Sequence, residues 1–241
     1  MGSGRDPHRA LAGELPAPVA RYFARVLHAD QAPIRAARLT QSGTLRASLR
    51  SRLWMRFDSV QEISPPALSF DWDARVRFGP LVHLRVRDSL LEGRAGSRVD
   101  LWSAIKLGAD VDSPELNAGA MQRYLAEAVW YPTALFPSEH LAWSPIDDRK
   151  ALATLTIHGT SASLEFHFNR EGEVAAIYAP QRWMRSGRKY VQMPWEGHFF
   201  GYWECSGMLI PAAGEVGWHA DGKWQPVWKG RVTYASYELE S

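Results

Sequence analysis

Residues 113–131 read as one long helix in a chain that otherwise reads as strands, and this helix has almost no face suited to water. Ser113-Pro114-Glu115 opens it with serine as N-cap, proline at the first helical position and a carboxylate in the first turn. These signals predict a helix over about 114–130 that stops before Pro132. Met121, Leu125, Ala128 and Val129 lie on one side of it, and Arg123, Tyr124, Glu127, Trp130 and Tyr131 on the adjoining one. Apart from Arg123 and Glu127, that surface is large and apolar, so other elements must cover it on most sides.

The material for a cover is period-two sequence. In Leu49–Phe57, the residues Leu49, Leu53, Met55 and Phe57 alternate with Arg50, Arg52 and Arg56, the pattern of a half-buried strand. The segments 70–78 and 82–88 form the clearest hairpin. With Gly79-Pro80-Leu81 as its loop, Val76 pairs with Leu84, Ala74 with Val86, Arg77 with His83 and Asp73 with Arg87. A slip of one residue would turn every apolar side chain outward. That register sets Arg75 opposite Arg85, a repulsion for Asp71 or Asp88 to offset. Val99, Leu101 and Ile105 suggest one more strand.

After the helix, Ala153–Ile157 and Ala162–Phe168 flank a turn at Gly159-Thr160, and a second turn at 169–172 leads to Val174–Tyr178. Further strands fall near 182–193, 199–210, 214–220 and 227–239. Pro16 and Pro18 open a short N-terminal helix over about 17–28. The expected fold is mainly β (α+β): a large curved antiparallel sheet, or half-barrel, wrapped around the central helix. It forms a single domain over 1–241 with residues 1–14 flexible. Such a sheet leaves a concave apolar mouth wherever the helix fails to fill it.

Composition narrows the classes. With 241 residues, 46% of them hydrophobic, there is ample material for a core without staples. The single cysteine, Cys205, excludes an internal disulfide framework and any cysteine-based zinc site. No apolar run has the length of a signal peptide or a membrane span, so the expectation is a cytoplasmic protein without stable membrane insertion. An engineered scar at Met1-Gly2-Ser3-Gly4 in place of a leader would move that expectation to the periplasm or a membrane surface. The formal charge is only +2, and 23 of the 28 basic residues are arginine, a bias that a GC-rich genome explains.

Three sets of residues carry a resemblance. Leu15-Pro16-x-Pro18-Val19-x-Arg21-Tyr22-Phe23, then Arg123-Tyr124-Leu125-x-Glu127-x-x-Trp130-x-Pro132-Thr133-Ala134-Leu135, then Pro194-Trp195-x-Gly197, resemble an uncharacterised bacterial domain family. The likeness runs over nearly the whole chain and brings no activity with it. More loosely, strand-rich halves around a helix that end in Gly207-Met208-Leu209-Ile210-Pro211 and a final hairpin are similar to the bacterial lipoprotein-carrier half-barrels. That superfamily includes lipid and lipoprotein binders and a cofactor-free enzyme.

Candidate site residues follow from charge placed among aromatics. Arg123 and Glu127, four apart on one helix face, sit beside Tyr124, Trp130 and Tyr131; they either tie helix to sheet or orient a ligand. Gln181–Tyr190 combines basic residues, Arg182 first among them, with Trp183 and Tyr190; it is either a lid over an anionic group or a solvated hairpin tip. Trp195 lies just beyond, and Glu196 and His198 share one strand face. With Glu127 they are the candidate acid–base groups of a catalytic reading.

His158 and His167 approach one another across the 159 turn without an evident third ligand, so no metal is expected. The chain contains no GxGxxG, Walker or GxSxG motif, and no cofactor is expected. The arginines at 46, 50, 52, 56, 75, 77, 85 and 87 read as a solvated sheet face without the stacking aromatics of nucleic-acid binding.

Arg123, Tyr124, Glu127, Trp130, Tyr131, Arg182, Trp183, Tyr190 and Trp195 are therefore the expected ligand-binding residues of a binder or carrier for a hydrophobic small molecule or lipid. The alternatives are a cofactor-independent isomerase or cyclase acting on an apolar carboxylate, and a structural domain with a filled interior. The oligomeric state is not legible.

Overall fold

Alternation of apolar and polar residues gives thirteen strands in a computed structural model that describes residues 15–79, 81–187 and 189–240. The tail 1–14 expected to be flexible, and Pro80 and Arg188 of the two expected loops, lie outside the described residues. The first six strands are β1 (Ile34–Leu45), β2 (Met55–Ser64), β3 (Ser69–Arg77), β4 (His83–Leu91), β5 (Arg94–Leu101) and β6 (Ile105–Val111). The next seven are β7 (Leu141–Asp147), β8 (Lys150–Ile157), β9 (Thr160–Phe168), β10 (Val174–Ser186), β11 (Lys189–Cys205), β12 (Met208–Ala220) and β13 (Lys223–Leu239). Among the described residues two α-helices accompany them, α1 (Ala17–Val26) and α2 (Pro114–Glu127).

The strands form one antiparallel sheet in the order β6-β5-β4-β3-β2-β1-β13-β12-β11-β10-β9-β8-β7. Two meanders thus meet at a central β1–β13 seam, and α2 runs from the last strand of one edge to the first of the other. It packs against β8, β9 and β10 on one limb and β4 and β5 on the other, so the sheet curls around it as a half-barrel. The limbs also touch directly. Gly93, in the β4–β5 turn at φ +76°, lies so close to Ile157 of β8 that a Cβ there would sit 2.9 Å from Ile157 Cγ2. Arg185 of β10 pairs with Asp110 of β6.

Ser113 caps α2 by accepting from Leu116 N–H at 3.2 Å. The chain then tightens into 3-10 turns at Ala128–Trp130 and Pro132–Leu135 rather than continuing as α-helix to 130. Met121, Leu125, Ala128 and Val129 are fully buried, and α1 closes one end of the core with Val19, Tyr22, Phe23 and Val26. Each of these larger side chains contributes about 1.5–3 kcal/mol, and Ala128 less. On the convex face, Arg77–Asp58, Arg85–Asp73, Arg87–Asp71 and Arg38–Glu62 pair in the open, where such pairs are worth about 0–1 kcal/mol each. The apolar core therefore holds the fold, and these pairs compensate the arginine face.

The β3–β4 register is the one alternation dictates: Val76 faces Leu84, Ala74 faces Val86, Arg75 faces Arg85 and Arg77 faces His83. The carboxylate that bonds Arg85 is Asp73, with Asp71 contributing a smaller attraction through space and Asp88 turned inward to Arg123. Four other expectations are corrected. The alternation from Leu49 does not make a strand before Met55, because Ser48 accepts from Ser51 N–H and Ser51 Oγ from Leu53 N–H, which turns the chain and leaves Leu53 exposed. Val99 and Ile105 belong to two strands, split by Trp102 and Ser103 at φ 50° and 59°.

The 158-region turn is His158-Gly159, with both residues at positive φ and Ile157 paired with Thr160. His158 therefore stays at the tip while His167 lies opposite Lys150 and Ala176, and the two do not meet. Finally, 182–193 and 199–210 each contain a hairpin end, so the true strands are the long β10, β11 and β12.

Candidate functional site

Inward parity brings tryptophans from four elements to one place. Trp72 of β3, Trp195 of β11, Trp218 of β12 and Trp228 of β13 face Trp130, just beyond α2, across a cavity of about 320 Å³. Phe199, Val86 and Val216 complete its apolar wall, and small residues, Ala126 on α2 and Gly214 on β12, keep it open. The rings are anchored by their polar atoms. Trp130 Nε1 donates to the Pro211 carbonyl at 2.9 Å and Trp72 Nε1 to Gln41 Oε1 at 3.1 Å. Phe57 lies 5.9 Å from Trp72 and 5.7 Å from Trp228, while Trp130 meets Phe199 edge-on at 5.7 Å.

One end of the cavity is charged. Arg123 donates to Glu127 Oε1 and to Asp88 Oδ2, both at 2.8 Å, and its guanidinium lies over Phe70 and Trp72. Gln61 Nε2 donates to Glu127 Oε2 at 2.6 Å, and Ser97 to Asp88 Oδ1 at 2.7 Å. All four carboxylate oxygens are thereby engaged. Burial opposes the charge of Arg123, yet Glu127 and Asp88 hold it above the ordinary guanidinium value.

Arg182 is placed differently. It stacks 4.3 Å from the Trp195 ring, and its Nε and Nη1 are buried without acceptors. Burial first, and the charge of Arg123 second, push it down to about 9. A buried polar group left without its hydrogen bond costs about 1–3 kcal/mol, and more when charged.

A second chamber of about 230 Å³ shares Asp88, Arg123 and Arg182 with the first and is otherwise lined by Ser97, Asp110, Glu115, Trp183, Arg185 and Tyr190 among others. The charged cluster is thus a wall between an apolar and a polar space.

Of the residues singled out in the sequence, Arg123, Glu127, Trp130, Arg182 and Trp195 line the apolar cavity, and Trp183 and Tyr190 the polar one. Tyr124 and Tyr131 line neither. They are buried in the core, where Tyr131 donates to the Tyr124 carbonyl at 3.0 Å and burial raises both phenols. Glu196 and His198 alternate with inward Trp195 and Phe199 and do not line the cavity. There His198 bonds Glu196 at 2.8 Å and His219 bonds it at 2.6 Å.

Trp72, Asp88, Trp218 and Trp228 were not singled out. For Asp88 a signal existed: the hairpin parity that sends Leu84 and Val86 inward sends Asp88 with them. Among the described residues, no group of three or more His, Cys, Asp or Glu side chains has metal-ligating geometry, and no helix is long and apolar enough to cross a membrane.

The model of a family of unknown function (DUF6920) matches residues 13–237. No curated protein matches the chain. Among solved structures it is similar to a LolA superfamily protein from Nitrosomonas europaea, with 9% identity over 93% of this chain and 92% of that one and a TM-score of 0.48. It is also similar to a beta-barrel-like protein of domain of unknown function DUF1849 from Brucella abortus, with 10% identity over 86% of this chain and 100% of that one and a TM-score of 0.26.

Proposed function

The chain belongs to DUF6920, a family of unknown function, and we propose that it binds or carries a hydrophobic small molecule or lipid in the tryptophan-lined cavity. The observation that carries the reading is the five-tryptophan wall around open space, with Arg46, Asp88, Arg123, Glu127, Arg182 and Glu215 as its charged positions. Trp130 and Trp228 meet edge-on with ring centroids 6.4 Å apart, and the five rings still leave this volume open. The volume lies at the lower end of the roughly 300–1,000 Å³ typical of small-molecule sites.

Binding is favoured over turnover by the lining itself. Among the described residues it contains no hydroxyl, thiol or imidazole, and its acids Asp88, Glu127 and Glu215 each meet a cation. The isomerase or cyclase reading would need Glu127 free to move a proton, and both of its oxygens are engaged.

The test is a titration with decanol, followed by tryptophan fluorescence and by melting temperature. Saturable quenching is expected, with a stabilisation of about 2.7 kcal/mol at a hundredfold excess over Kd. For a domain of this size, that is a rise of roughly 5–11 °C. Absence of both effects, with no small molecule co-purifying in native mass spectrometry, would leave a structural domain.

A further inference from the structure

We infer that the natural ligand carries a single carboxylate and that Arg182, at the wall between the two chambers, receives it. This rests on the cavity being a binding site. It deepens that reading by naming the polar end of the ligand and the residue that selects it.

Three arginines line the cavity: Arg123 has its carboxylates, Arg46 donates to the Pro226 and Ser51 carbonyls with only its Nε left unbonded, and Arg182 is the least satisfied. Arg123 has Glu127 and Asp88, and their remaining oxygens go to Gln61 and Ser97. Arg182 is left with buried Nε and Nη1 groups that find no acceptor, while its stacking on Trp195 fixes the plane of the guanidinium. A guanidinium keeps its proton where an ammonium would surrender it, so its want of a partner is met by bringing in an acceptor. The open space it borders is the tryptophan cavity on one side and the polar chamber on the other.

Charge decides which oxyanion fits. Asp88 and Glu127 already place two negative groups at this wall, against Arg123 and Arg182. A phosphate monoester would add close to two more charges against one free guanidinium, whereas a carboxylate adds one. An apolar body among the tryptophans, with its carboxylate at Arg182, satisfies both ends of the site.

The experiment is calorimetric titration of the full chain, at neutral pH, with three probes that share one apolar body: decanoate, decanol and decyl phosphate. Decanoate is expected to bind at least tenfold more tightly than decanol, and more tightly than decyl phosphate. In Arg182→Met, the decanoate-to-decanol ratio is expected to fall to about one.

Equal affinity for decanoate and decanol in the wild type overturns the assignment, as does a preference that survives in Arg182→Met. Tighter binding of decyl phosphate overturns the carboxylate in favour of a phosphate. Decanol binding without a decanoate preference leaves the cavity reading standing and removes only this one, while no binding of any probe removes both. If Arg182→Met does not fold, the wild-type comparison of the three probes still decides.

Discussion

Replacing Arg123 with methionine takes from Asp88 and Glu127 the one guanidinium that bonds both, and leaves Arg182 as the cation at that wall. Breaking a buried ion pair by removing one partner costs about 3–5 kcal/mol. Here the side chains of Arg123, Glu127 and Asp88 are 20%, 15% and 29% exposed, so solvent takes up part of that and about 2–4 kcal/mol remains. Loss of the guanidinium stacking on Phe70 and Trp72, at 5.1 and 4.8 Å, adds about 0.5–1 kcal/mol each, which the methionine partly restores by packing.

The expected total is about 2.5–5 kcal/mol, or roughly 5–20 °C in Tm for a chain of this length. Urea unfolding of wild type, Arg123→Met, Glu127→Gln and the double variant measures it, with a shared slope as the check that the unfolded state is unchanged. The double variant should lose at least about 1 kcal/mol less than the sum of the singles, because the groups touch. A loss for Arg123→Met below about 1 kcal/mol, the range of a surface pair, would refute the buried-network reasoning, and so would strict additivity.

Two further outcomes are expected. Gly43→Ala should lower Tm sharply, because a Cβ there would be driven into the Lys229 carbonyl and lie 2.9 Å from Phe57 Cε1 at the β1–β13 seam; a melting curve within 1 °C of wild type would show that the seam can part. Glu196 is held below the ordinary carboxylate range: burial acts against this, and the bonds from His219 and His198 outweigh it. Its contribution is then present above an unfolded value of about 4.3 and lost as pH falls through the lower folded value. The Tm gap between wild type and Glu196→Gln should accordingly be full at pH 6 and close towards pH 3, and a gap unchanged across that range would count against the triad.

The half-barrel around one central helix was legible, because an apolar helix among alternating strands must be wrapped; the finer detail that was legible was local. The Ser113 cap and the β3–β4 register depend on neighbours within about twenty residues, and alternation specifies them because a slip would expose a whole face. The failures at 49–57 and 99–105 are also local, but there serine side-chain bonds and two non-glycine residues at positive φ overrode an apolar pattern that ran on through a turn.

The site was legible only in part. Arg123, Glu127 and Trp130 are read from one helix and its end, and Arg182 and Trp195 from one hairpin. Trp72 and Trp228 enter through the pairing of β1 with both β2 and β13, which joins segments far apart in the chain. No periodicity within a segment reports that meeting. Asp88 was within reach of parity, but on an inward position a carboxylate reads as an anomaly until its arginine is in place.

The central position of β1 and β13 in the sheet has a consequence in time. Every other strand pairing joins neighbours in the chain, whereas Leu45 meets Trp228. Closing a loop of that length from an unstructured chain costs about 4–5 kcal/mol in entropy, beyond a length-independent part. On a ribosome, the six strands before α2 emerge early enough to pair among themselves, yet β1 offers one unpaired edge until β13 has been made. The seam can therefore form only once β13 has been made, and the five-tryptophan chamber, whose walls come from both sides of it, does not exist before then.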